Sequence, residues 1–116
     1  LVNDFLGVAE MGELSVPAPA NLPQGSMLGP VPICFDCTHS TQRPGGGEGG
    51  KATGGNSRLA PMLARAAVAA GVDALFLESH PNPAKAMSDA ATQIPLEQIG
   101  GVLESVAILR RALAGG

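Results

Sequence analysis

The sequence predicts an α/β fold of parallel strands with covering helices, and three observations carry that reading. Residues 31–37 and 72–77 are short apolar runs without polar alternation, as in strands buried on both faces. Residues 59–70 between them form a near-continuous Ala/Leu/Val stretch of helical length. From Pro95 to about Leu113, apolar residues recur at helical steps. Strand, helix, strand, helix makes one right-handed βαβ unit plus a further covering helix. Two parallel strands make no stable sheet alone, so the unit is expected to belong to a larger α/β structure.

Each element has a local cause. In residues 1–30, Pro17, Pro19, Pro23 and Pro30 with Gly12, Gly25 and Gly29 break any period, so this segment reads mostly as loop. A short helix or strand within residues 1–11 stays open. The first strand tolerates Pro32 only because it lies near the start. A glycine-rich loop follows over residues 40–57. The helix over 59–70 carries Pro61 in its first turn, where a missing N–H costs nothing, and stops at Gly71. Residues 72–77 form the second buried strand, and residues 78–93 a polar loop with Pro81 and Pro83. On the last helix Leu96, Ile99, Leu103, Val106 and Leu113 form the apolar stripe, while Glu97, Glu104, Arg110 and Arg111 lie off it. Glu97 near its start and the arginines near its end suit the helix dipole. The chain thus divides into a poorly patterned segment, 1–30, and an α/β part, 31–116.

Composition narrows the function. The chain is 45% hydrophobic and 15% charged, as globular proteins are. With no Trp or Tyr and three Phe, its core must be built from small aliphatic side chains, which is thin for a free-standing unit. Its 116 residues suit one domain or part of a larger one, and a start at Leu1 suits a processed product or a piece of something longer. A net charge of −3 with scattered basic residues argues against nucleic acid. No run nears the ~20 apolar residues of a membrane span, and nothing reads as a signal peptide. The expected location is the cytoplasm. Cys34 and Cys37 form a C-x-x-C, but on a strand i and i+3 point to opposite faces. They read as small buried thiols, not as a redox or zinc pair.

Two segments hold the chemistry. Gly45-x-x-x-x-Gly50-Lys51 approaches a phosphate-binding P-loop, but Ala52 stands where magnesium needs Ser or Thr, and several residues separate it from the strand before. No nucleotide is expected; the stretch reads as a lid over a site at the strand's C-terminal end. The second is the set of strand-end residues: His39 past the first strand, Glu78 past the second, and Asp89 in the loop after it. A lone His is often structural. At the ends of neighbouring strands, where α/β proteins bind ligands, one imidazole and two carboxylates also suit Mn, Fe or Zn. Spacing alone leaves both readings open.

These residues, in order, resemble the C-terminal part of the 3-deoxy-D-manno-octulosonate 8-phosphate synthase family. The carrying strings are Phe35-Asp36-Cys37-Thr38-His39-Ser40-Thr41-Gln42, Pro44-Gly45-Gly46, Thr53-Gly54-Gly55 and Leu63-Ala64-Arg65-Ala66-Ala67-Val68-Ala69. They continue through Gly71-Val72-Asp73, Phe76-Leu77-Glu78-Ser79-His80-Pro81-Asn82-Pro83 and Ser88-Asp89-Ala90-Ala91-Thr92-Gln93-Ile94-Pro95-Leu96, together about two-thirds of the chain. The resemblance implies the last two βα units of a (β/α)8 TIM barrel, which as a whole takes about 250 residues. It implies a condensation of phosphoenolpyruvate with arabinose 5-phosphate, with no membrane or nucleic-acid partner and with a homo-oligomeric complete enzyme. It assigns His39, Glu78 and Asp89 to a divalent metal (Mn, Fe or Zn), with a fourth, Cys ligand in a part of the barrel outside this chain. His39 and Asp36 become the candidate catalytic residues. Gln42, Gly45, Gly46, Thr53, Gly54, Gly55 and Arg58 become candidate substrate-loop residues. The family's Ser-Gly-Gly stands here as Thr53-Gly54-Gly55, and its following arginine position holds Ser57, with Arg58 one step on. The implied activity of the isolated chain is nil, because the phosphate-binding lysine and arginine segments are missing. A different phosphoenolpyruvate-using aldose condensing enzyme, or a non-catalytic remnant, are the alternatives.

Overall fold

The computed structural model describes residues 3–45 and 54–115. Its central feature is a parallel pair, β3 (Cys34–Asp36) and β6 (Ala74–Phe76), in the register Cys34↔Ala74, Phe35↔Leu75, Asp36↔Phe76. Helix α2 (Ala60–Ala70) connects them, so the predicted βαβ unit is present. The strands are shorter than the apolar runs that foretold them. Asp73 explains the early end: its carboxylate accepts the Ile33 N–H at 2.8 Å, while the Ile33 carbonyl accepts from Asp73 and Ala74. At the far end Cys37 N–H donates to the Phe76 carbonyl, carrying the pairing one step further.

Helix α2 starts from a 3-10 turn, Ser57–Leu59, in which the Asn56 side chain accepts the Arg58 N–H. It holds Pro61 in its first turn and ends at Gly71 with φ +94°, a left-handed cap that glycine adopts at least cost. Helix α3 (Leu96–Ala114) packs on α2. The core gathers Cys37, Ala60, Leu63, Ala64, Ile94 and Val102, with Phe35, Leu75, Leu77, Ile99 and Val106 against it.

Several expectations need correcting. On α3, Ile99 and Val106 of the expected stripe pack against the core on either side of buried Val102, which the stripe left out, while Leu96, Leu103 and Leu113 are about half exposed. Cys34 is exposed, and only Cys37 is the buried thiol foreseen for both. Where residues 1–11 left a short helix or strand open, the structure has a helix, α1 (Phe5–Gly12), capped by Asp4 Oδ1 accepting Gly7 N–H at 2.9 Å; the loop that follows adds only a small antiparallel pair, β1 (Val16–Pro17) with β2 (Met27–Leu28). Phe5 stacks on Phe35 with ring centroids 5.4 Å apart, which docks α1 against β3.

The loops also contain paired segments. β4 (Gln42–Arg43) runs antiparallel to β5 (Gly54–Gly55), closing the base of the glycine-rich stretch. Residues 46–53, which include Gly46 and Thr53 and most of the expected lid, lie outside the described residues. In the expected polar loop, β7 (Ser79–His80) pairs in parallel with β8 (Ile94–Pro95).

Much apolar surface stays open. A groove of about 740 Å³ lies between the end of α2, β6 and α3, lined by residues that include Leu75, Leu77, Leu103, Val106 and Leu113. The Cα radius of gyration is 17.3 Å, against about 13 Å for a compact domain near this length. No helix among the described residues is long and apolar enough to cross a membrane.

Candidate metal centre

The site forms where β3 and β6 end. Asp36, the last residue of β3, turns the chain: its Oδ1 accepts the backbone N–H groups of Thr38 and His39, both at 2.9 Å. This Asx-type turn starts the 3-10 segment His39–Thr41 and holds the His39 backbone close to the strand end. Asp36 Oδ2 then lies 2.7 Å from His39 Nδ1. A carboxylate only accepts, so in the neutral ring Nδ1 carries the proton and Nε2 keeps its lone pair for a cation.

Nε2 faces two more carboxylates. Glu78 Oε2 lies at 3.7 Å and Asp89 Oδ2 at 3.8 Å. One ligand atom from each of the three residues falls within 4.8 Å of the others. Glu78 arrives from β6, and its N–H donates to the buried Thr38 hydroxyl at 2.8 Å, which ties the two strand ends together. Asp89 sits at φ +52°, a left-handed conformation that Asp tolerates better than most residues. Its carbonyl accepts from Thr92 N–H, Gln93 N–H and the Thr92 hydroxyl, so the backbone that presents the carboxylate is tightly held. Gln42 Nε2 donates to Asp89 Oδ1 at 3.1 Å.

Three carboxylates around one imidazole favour its protonated form. The His39 pKa is raised, first by the hydrogen bond to Asp36, with partial burial opposing and the charges of Asp36, Glu78 and Asp89 adding to the rise. A cation can replace that proton at Nε2. The donor set fits a divalent ion: one imidazole nitrogen oriented by an outer carboxylate and two carboxylate oxygens, a mixture suited to Mn, Fe or Zn. Cys37 contributes nothing here; burial, chiefly, pushes its thiol pKa up to about 12.

The three residues assigned to a metal therefore come together, with Asp36 directly behind His39. Gln42 and Gly55 stand opposite each other in the β4–β5 pair, beside the Asp89 turn. Gly54 is buried next to Gly55, and Gly45 has φ +70° in the turn that leaves β4. Arg58 is exposed in the turn before α2 and makes none of the side-chain hydrogen bonds of the cluster. Two supports were not foreseen, Thr38 and Thr92, both buried polar anchors. A threonine has no periodic signature; the one available signal was adjacency to His39 and Gln93 within unusual strings.

Residues 15–112 match the DAHP synthetase I family. The chain belongs to this family. Among curated relatives, it is 50% identical over 83 residues to the 2-dehydro-3-deoxyphosphooctonate aldolase of Burkholderia cenocepacia strain HI2424, covering 72% of this chain and 28% of that protein. The aldolase of the same name from Cyanothece sp. strain PCC 7425 is 48% identical over 94 residues, 81% of this chain and 33% of its own length. That from Paraburkholderia xenovorans is 50% identical over 83 residues. The chain thus spans about a third or less of the curated relatives it matches. Their name is that of an octulosonate phosphate enzyme, so the resemblance read from the residues holds.

Proposed function

We propose that this chain forms the metal-bearing part of a 3-deoxy-D-manno-octulosonate 8-phosphate synthase of the DAHP synthetase I family, contributing the last two βα units of a (β/α)8 barrel. The observation that carries this is the convergence of His39, Glu78 and Asp89 at the C-terminal ends of two parallel strands, the end at which barrel enzymes assemble their active sites. The open groove beside β6 and the thin core support a barrel that continues beyond these strands. Residues 31–116 make up the barrel portion, and residues 1–30 the segment leading into it.

The reaction is the condensation of phosphoenolpyruvate with D-arabinose 5-phosphate, releasing phosphate. His39, Glu78 and Asp89 would hold a divalent ion (Mn, Fe or Zn), which when bound would supply Lewis-acid polarisation and a template for the substrates. Asp36 keeps the imidazole proton on Nδ1, so that Nε2 is available to coordinate or to exchange a proton with substrate. Gln42, Gly45, Gly54, Gly55 and Arg58, with Gly46 and Thr53 outside the described residues, are the candidate substrate-loop residues. No nucleotide takes part. The complete enzyme is a cytoplasmic homo-oligomer whose remaining barrel holds the substrate phosphates.

A chimera tests this reading: residues 32–113 replace the corresponding segment of a full-length Burkholderia relative. Phosphate release from phosphoenolpyruvate should require arabinose 5-phosphate, proceed poorly with a four-carbon aldose phosphate, and depend on added manganese. A folded chimera without turnover, or one indifferent to His39→Ala, refutes it.

A further inference from the structure

Gln42 stands apart from the three candidate ligands yet touches one of them. Its Nε2 donates to Asp89 Oδ1 at 3.1 Å, while the other oxygen, Oδ2, is the one that faces His39 Nε2 at 3.8 Å. The two oxygens of a single carboxylate thus have separate tasks. One is held by an amide, and the other points into the cluster.

The surroundings make Gln42 a firm anchor. It lies in β4, paired with Gly55 of β5, and that pair and the turn after it meet the Asp89 turn at two further points. Ser57 N–H donates to the Ala91 carbonyl at 3.2 Å. Gly55 lies so close to buried Thr92 that a Cβ on the glycine would run into Thr92 Cγ2. Thr92 in turn binds the Asp89 carbonyl through both its N–H and its hydroxyl. The base of the glycine-rich stretch therefore grips the backbone that carries Asp89, and Gln42 grips the side chain.

We infer that Gln42 is a positioning residue for the metal centre: through Asp89 Oδ1 it fixes the carboxylate rotamer in which Oδ2 faces His39 Nε2 and would be presented to a bound ion. This rests on the assignment of His39, Glu78 and Asp89 as ligands. Free of Gln42, the carboxylate samples other rotamers, and part of the binding energy is spent on re-ordering it. Partners in this outer position change metal affinity by roughly 10–100-fold.

The test is a cobalt(II) titration of the chain, read by the visible absorption of the bound ion. It uses wild type, Gln42→Met, Asp89→Ala, His39→Ala and the double variant Gln42→Met/Asp89→Ala. Methionine keeps the length and bulk of glutamine and removes its amide, both the NH₂ donor and the carbonyl acceptor. Gln42→Met should weaken cobalt binding about tenfold or more in the wild-type background and change nothing further in the Asp89→Ala background, the non-additivity expected of two residues acting through one contact. Without any metal, the Gln42 side-chain amide signals in a ¹⁵N spectrum should shift in Asp89→Ala. That second readout covers a variant that binds too weakly to titrate. Wild-type affinity in Gln42→Met, alongside a clear loss in His39→Ala, overturns the role of Gln42 and leaves the ligand assignment standing. No loss in either His39→Ala or Asp89→Ala overturns the ligand assignment and this inference with it.

Discussion

Replacing Asp36 with asparagine changes one atom and should disable the site through a tautomer. Oδ1 of Asp36 accepts two backbone N–H groups at 2.9 Å each, and Oδ2 faces His39 Nδ1 at 2.7 Å. Asparagine can keep its oxygen on the backbone donors only by presenting NH₂ to the imidazole. The NH₂ needs an acceptor, so Nδ1 must give up its proton, and the proton moves to Nε2. The flipped amide is no better, since it aims NH₂ at two N–H donors. Nε2 is the nitrogen that faces Glu78 and Asp89 at 3.7 and 3.8 Å. Once protonated, it has no lone pair to give a cation. Disturbing such an outer partner costs roughly 10–100-fold in affinity, or about 1.4–2.8 kcal/mol. Asp36→Asn should therefore weaken manganese or cobalt binding at least about tenfold, measured by calorimetric titration. The ¹⁵N shifts of the His39 ring should report the proton on Nε2 in the variant and on Nδ1 in the wild type. Unchanged affinity, or an Nδ1–H tautomer in the variant, would refute the reasoning.

Further expectations follow from the same coordinates. Because the His39 pKa is raised, protons should begin to displace the metal above the ordinary imidazole range, and affinity measured from pH 8 downward should fall earlier than for a free histidine. In the metal-free chain the same shift has the opposite sense: protonated His39 adds stability that is full below about pH 6.5 and lost as pH rises through the raised pKa. The stability gap between wild type and His39→Gln in urea should narrow accordingly. Gly55→Ala would drive a Cβ into Thr92 and should cost about 1–3 kcal/mol in urea unfolding. Exposed Cys34 should react promptly with a thiol reagent, while buried Cys37, with its pKa near 12, should react only on unfolding; two fast thiols would contradict the packing. The 116-residue chain alone should release no phosphate from phosphoenolpyruvate and arabinose 5-phosphate, because positioning two substrates can supply about 7–11 kcal/mol of a barrier and the phosphate-binding groups lie elsewhere in the proposed barrel.

The sequence by itself determined the βαβ order, the Gly71 stop and the chemical content of the site. Those features are local: an apolar run, a left-handed glycine and a short string such as Thr38-His39-Ser40 act through neighbours in the chain. It also brought His39 and Glu78 together, since the ends of adjacent parallel strands must meet, and named Asp89 as the further carboxylate in the loop after them. Strand limits were overread because the Asp73 carboxylate takes an N–H that an apolar run alone would assign to the ladder. On α3 the sequence placed Ile99 and Val106 inward correctly but chose Leu103 over Val102 between them, because several helix faces are apolar and α2 decides which is covered. Only the tertiary structure could place Gln42 on Asp89, 47 residues away, or Thr38 under Glu78, 40 residues away. Such hydrogen bonds depend on angles and distances across the fold, and nothing in the spacing of residues along the chain encodes them.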